Sequence, residues 1–100
     1  MKLTWSAFAL ADRDDIFTHI EADNPHAAIA VDEQIAQAVL RLLEFPESGR
    51  SGRVPGTREL VIPRTPYLVA YVPTADSIRI LRVLHGAQMW PDDFAADQLP

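Results

Sequence analysis

The chain has no cysteine, so neither disulfides nor thiolate metal sites are available, and its 100 residues must hold together by packing and hydrogen bonding. No apolar run approaches the roughly 18 to 20 residues that a membrane-spanning helix requires. A phosphate-cradling loop is missing too, because Gly49, Gly52 and Gly56 lack the lysine and the following helix that such loops use. Internal repeats and low-complexity tracts are absent. The opening Lys2 to Ala11 imitates a short signal peptide, with Ala9-Leu10-Ala11 placed like a cleavage site. That run is short, holds Thr4 and Ser6, and continues directly into an amphipathic pattern, so a cytoplasmic protein is expected.

What remains is the composition of one small globular domain: 48% apolar residues, near the lower edge of the size that buries a self-sufficient core. The net charge of −5 is unevenly spread. Residues 1–49 hold nine acids against three bases, residues 50–82 two acids against six arginines, and residues 83–100 three acids and no base. This allows a basic face on an acidic protein, and equally arginines that only solvate one side of a sheet.

Lys2 to Trp5 reads as a short strand, and Ser6 as the N-cap of a helix over about Ala7 to Ala22. Ala9, Ile16, Phe17 and Ile20 form its apolar stripe, Arg13 lies at the stripe's edge, and Asp12, Asp14, Asp15 and Glu21 are expected in water. Asn24 and Pro25 open a second helix, to about Phe45, with Ala28, Val31, Ile35, Val39 and Leu42 on one face. The short connection makes an antiparallel helical hairpin.

From Gly49 to Pro91 the pattern changes to strands and turns. Phe45 to Gly52 is a loop by composition, Pro55-Gly56 a turn, and Thr57 to Ile62, Tyr67 to Val72 and Ser77 to His85 alternate as strands. The turns at Arg64-Thr65-Pro66 and Pro73 to Asp76 make these an antiparallel meander with Tyr67 to Val72 in the middle. Strict alternation puts Ile78, Ile80 and Arg82 on one face and Arg79, Leu81 and Val83 on the other. The fold class is α+β, a helical hairpin on a small twisted antiparallel sheet, with the domain at residues 1–91 and residues 92–100 an acidic tail of disordered composition.

Few residues carry chemistry. His19, Asp23 and His26 straddle the helix break without a metal-ligand spacing, and Asp14 and Asp15 are acids near a helix start, so no metal and no cofactor is expected. His85, ending the last strand near Gln88 and Trp90, has the position of a general acid or base, or of a histidine bonded for structure. The arginines have the geometry to hold phosphates or a partner's carboxylates.

The order ALADRDDIFTHI, the break DNP, a second helix ending in FPESGRSGR, then VPGTREL, TPYLVAYV and ILRVLHGAQMWP resembles the RelE/ParE superfamily of toxins from bacterial type II toxin-antitoxin modules. The likeness covers nearly the whole chain and leans to the ParE-like, plasmid-stabilisation branch. It implies a β-α-α-β-β-β fold, a cognate antitoxin of the ParD or RelB type in a toxin-antitoxin hetero-oligomer, and no membrane partner. Its branches differ in target: RelE-like toxins cleave messenger RNA in the ribosomal A site, whereas ParE toxins inhibit DNA gyrase.

Glu59, Val61, Leu68, Gln88 and Phe94 stand where RelE has lysine, lysine, arginine, arginine and tyrosine. All five differ, so the resemblance points first to a non-enzymatic gyrase inhibitor. Its target-binding candidates are Arg79, Arg82, His85, Gln88 and Trp90, and its antitoxin-binding candidates Arg50, Arg53 and Arg58. The alternative is a ribosome-dependent ribonuclease using His85 with Arg58 and Arg82. A divergent, non-toxic member is the third reading.

Overall fold

The computed structural model describes residues 1–86; Gln88, Trp90, Phe94 and the tail at 92–100 lie outside the described residues. The elements are β1 (Lys2–Trp5), α1 (Ala7–Glu21), α2 (Pro25–Arg41), β2 (Arg50–Ser51), β3 (Arg58–Val61), β4 (Tyr67–Pro73) and β5 (Ser77–His85). Both helices start on the expected caps. The Ser6 hydroxyl accepts from the Ala9 amide at 3.0 Å, and the Asn24 side chain accepts from Ala27 at 3.1 Å. Helix α2 ends before the expected Phe45. The amides of Leu42, Leu43 and Glu44 bond three residues back, to Val39, Leu40 and Arg41, tightening the chain ahead of Pro46.

The five strands form one sheet in the order β1-β5-β4-β3-β2. The meander β3-β4-β5 is antiparallel with β4 in its middle, as the turn residues predict. The sheet as a whole is mixed, because β1 joins the outer edge of β5 in parallel, Lys2 opposite Ser77 through Trp5 opposite Ile80. Parallel neighbours need a long crossover, and here the helical hairpin and three further strands supply it. At the far edge Arg50 and Ser51, expected in a loop, pair with Glu59 and Arg58.

The hairpin covers one face. Ile35, Ala38 and Val39 of α2, Leu42 just past its end and Ala9 of α1 pack against Val69, Tyr71, Ile78, Ile80 and Val83, all essentially removed from solvent. Strict alternation fails on β5: Tyr71 pairs with Ile80 and Ala70 with Arg82, leaving Leu81 as the extra residue of a bulge. Val83, not Arg82, therefore joins Ile78 and Ile80 in the core. The bulge also takes Arg82 to the sheet edge, where it meets α1.

Tyr71 fastens the loop after α2. Its hydroxyl donates to Pro46 O at 2.8 Å and accepts from the Gly49 amide at 2.9 Å. Gly49 has to be glycine there, because a Cβ would lie 2.7 Å from that hydroxyl and 2.8 Å from Glu59 O. In urea unfolding, Tyr71→Phe is expected to cost about 1 to 3 kcal/mol through two orphaned partners, and Ile35→Ala about 2 to 5 kcal/mol through a cavity. A loss well under 1 kcal/mol for Ile35→Ala would contradict this core.

Candidate functional site

Strand β1 stops at Trp5, opposite Ile80, so the outer edge of β5 beyond that point has lost its backbone partner. Side chains from the start of α1 take over. The Ser6 hydroxyl donates to Leu81 O at 2.7 Å, and one Asp12 carboxylate oxygen accepts from the Val83 amide at 2.9 Å. Both Asp12 oxygens also receive the Arg82 guanidinium, at 2.8 and 3.0 Å, in a forked pair that is mostly shielded from water. The guanidinium lies 5.9 Å from the centre of the Phe8 ring. Asp12, expected to face water, thus closes the sheet edge, and Arg82 is held against α1.

His85 ends β5 opposite Tyr67, exposed, its ring edge-on to the tyrosine with centroids 5.8 Å apart. Arg58 lies opposite Tyr71, four residues along β4 from the position facing His85 and one strand further out. At about 3.3 Å per residue those places are roughly 13 Å apart along the sheet alone. Shared acid-base chemistry needs groups within about 3 Å of a common proton. The structure brings His85 to Tyr67 and Arg82 to Asp12; it does not bring Arg58 to either.

The sheet face away from the helices carries Lys2 and Thr4 of β1, Leu68, Ala70 and Val72 of β4, and Arg79 and Leu81 of β5. Lys2, Thr4, Val72, Thr74, Asp76, Ser77, Arg79 and Leu81 line a hollow of about 430 Å³ on it. Arg79 is half-buried, and it has no hydrogen-bond or ion-pair partner among the described residues. A half-buried guanidinium beside an ammonium and the hydroxyls of Thr4, Thr74 and Ser77, with Asp76 the one acid of the hollow, is equipped to bind an anionic group on a larger partner.

The remaining arginines sort by the same test. Arg50 donates twice to the buried Glu59 carboxylate, at 3.0 and 3.1 Å, fastening β2 to β3. Arg58 donates to Gly49 O at 2.7 Å and Glu47 O at 3.3 Å, holding the loop after α2. Arg53 is exposed and has no partner among the described residues. Arg13 lies 4.7 Å over the Trp5 ring and forks onto Asp32 at 2.9 and 3.0 Å, pinning α1 to α2. Among the described residues no group of three histidines or acids could hold a metal.

Asp12 and Tyr67 escape a reading of the sequence alone. Tyr67 follows from the register of the β4-β5 hairpin, while nothing local signals that Asp12 turns to a strand seventy residues away.

A capped helical hairpin over one face of a five-stranded mixed sheet defines a small α+β domain. The chain belongs to the ParE toxin family of type II toxin-antitoxin (parDE) systems, whose model matches residues 3–90. It is 43% identical over 90 residues to Y4kP of Sinorhizobium fredii, a relative assigned to the toxins, spanning 90% of this chain and 93% of that one. Toxin RelE2 of Caulobacter vibrioides is 30% identical over 88 residues, 88% and 98% of the two chains. A solved structure described as the chromosomal ParDE toxin-antitoxin system from P. aeruginosa superposes with a TM-score of 0.77 at 31% identity, covering 85% of this chain and 95% of that chain.

Removing Asp12 takes away at once the acceptor of the Val83 amide and the carboxylate that the Arg82 guanidinium forks onto. Asp12→Ala should cost about 2 to 3 kcal/mol in thermal or urea unfolding, and Asp12→Asn, which keeps an acceptor for Val83, about half as much. Equal losses for the two would assign the whole effect to the ion pair.

Proposed function

We propose that this toxin acts by binding DNA gyrase through the sheet face around Arg79, and that a cognate antitoxin holds it inactive. The observation that carries the reading is Glu59. This acid stands where RelE has a lysine, and it is 6% exposed and engaged by Arg50, so it serves the sheet edge. Val61 and Leu68 likewise stand where RelE has a lysine and an arginine, and Leu68 is buried. On the same face Arg79 and Lys2 remain available for a partner.

Large apolar side chains on the hairpin support the antitoxin. Phe8 and Leu10 of α1 and Ile29 and Leu40 of α2 are each about half exposed, at 54, 51, 49 and 49%. Helix α1 is apolar on several sides, as expected of a helix covered by a partner. Arg53 lies ready for an acidic group, while Arg50 and Arg58 would meet one only from their present bonds.

A binding mechanism spreads its energy over anchors. In gyrase supercoiling assays with purified protein, Arg79→Ala and Lys2→Ala should each weaken inhibition by roughly threefold to thirtyfold, and His85→Gln by less than that. Cleavage of messenger RNA on ribosomes with gyrase untouched, together with a loss of about a hundredfold or more for His85→Gln, would overturn the reading. A cognate antitoxin at a thousand times its Kd should add about 4 kcal/mol to the toxin's unfolding free energy. An unchanged unfolding midpoint at saturating antitoxin would refute that partner.

A further inference from the structure

The β3–β4 turn contains the one non-glycine residue with positive φ among the described residues, Arg64 at 63°. Left-handed backbone favours glycine or asparagine, and a long side chain there carries a conformational penalty. The positive φ belongs to the Ile62-Pro63-Arg64-Thr65 turn, closed by Thr65 N–H to Ile62 O at 3.3 Å, but nothing in that turn calls for an arginine. The turn is closed by Ile62 N–H to Tyr67 O at 3.0 Å, by the Thr65 hydroxyl to Ile62 O at 3.0 Å, and by Tyr67 N–H to that hydroxyl at 3.1 Å. It is also anchored to α2, where Gln34 Nε2 donates to Pro63 O at 2.9 Å. The Arg64 side chain contributes to none of these bonds and has no partner among the described residues.

That side chain borders a hollow of about 510 Å³ between the turn and α2, lined by Ala30, Glu33, Gln34, Gln37, Arg41, Pro63 and Arg64. Arg41 also has no partner among the described residues. Its place in the last turn of α2 has an ordinary cause in the helix dipole, whereas that of Arg64 has none. Two unengaged guanidiniums thus share one hollow with the amides of Gln34 and Gln37.

We propose that this hollow is a recognition site for an acidic segment of a partner protein, with Arg41 and Arg64 taking its carboxylates and the Gln37 amide meeting its main chain. Guanidinium forks match carboxylates two bonds at a time, and an amide offers both a donor and an acceptor to a peptide group. A nucleic-acid backbone fits less well, because it repeats its charge along a track and the hollow sets Glu33 beside only two cations on a protein of net charge −5. The site lies on α2 and the β3–β4 turn, apart from the Arg79 face, and does not rest on the gyrase reading.

The test is a titration of the isotope-labelled protein, followed through its amide resonances, with a short blocked peptide of alternating Glu and Leu. Its Gln-for-Glu counterpart and a short oligothymidine serve as comparison probes. The peptide should shift residues around 30–41 and 63–65, and the uncharged counterpart should bind about tenfold more weakly or worse. Arg64→Gly should leave the unfolding midpoint unchanged or higher by a few degrees, since it relieves the turn, while weakening the peptide about tenfold; Arg64→Lys should fall between. The site is refuted if millimolar peptide moves other residues or none, or if Arg64→Gly binds as the parent does. Displacement of the peptide by oligothymidine would reassign the site to nucleic acid and overturn the proposal.

Discussion

Strand β5 is shared along its outer edge between a strand and a helix, and the rest of the molecule is arranged by that division. For four residues β1 supplies the hydrogen bonds; past Trp5 the chain turns into α1, and Ser6 and Asp12 supply them from side chains. An open strand edge invites pairing with another chain, and here the cap and first two turns of a helix close it. The same contacts fix where α1 lies, because Ser6 is at once the helix cap and an anchor on Leu81. Helix α2 follows through the short hairpin and the Arg13–Asp32 fork, and brings the core residues Ile35, Val39 and Leu42 over the sheet.

The arginine-rich second half looks like one basic face only until each guanidinium is followed to its partner. Arg50, Arg58 and Arg82 hold the sheet's two edges and the loop after α2, each against an acid or a carbonyl nearby. Arg79, Arg53, Arg41 and Arg64 are left over, on three different parts of the surface. This division is what lets an acidic protein offer cationic contacts to partners. A partner that displaces Arg50 or Arg82 from its carboxylate first loses that pairing, so the unengaged arginines are the cheaper contacts.

Much of the fold is legible in the sequence because it is written locally. Ser6, Asn24 and Pro25 mark the helix starts, the apolar repeat from Ala28 to Leu42 marks the buried face of α2, and the proline turns around Tyr67 to Pro73 mark the central strand. What is not legible depends on distant partners. The parallel place of β1 is set by the edge of β5, two residues of β2 are too few for any periodicity, and the bulge at Leu81 reverses the faces that alternation assigns. For the candidate site, Arg79 and His85 are found where strand reading puts them. The engagement of Arg82 by Asp12 and of Arg50 by Glu59 needs the folded chain, and Gln88 and Trp90 lie outside the described residues.

A family member that works by occupying its target must be found on that target. Sedimentation of the purified toxin with gyrase in one tube and with translating ribosomes in another asks this directly. The account predicts that the toxin travels with gyrase in stoichiometric amount, with Arg79→Ala reducing the bound fraction and His85→Gln leaving it nearly intact. Travel with ribosomes but not with gyrase, leaving cut messenger RNA behind, would contradict it.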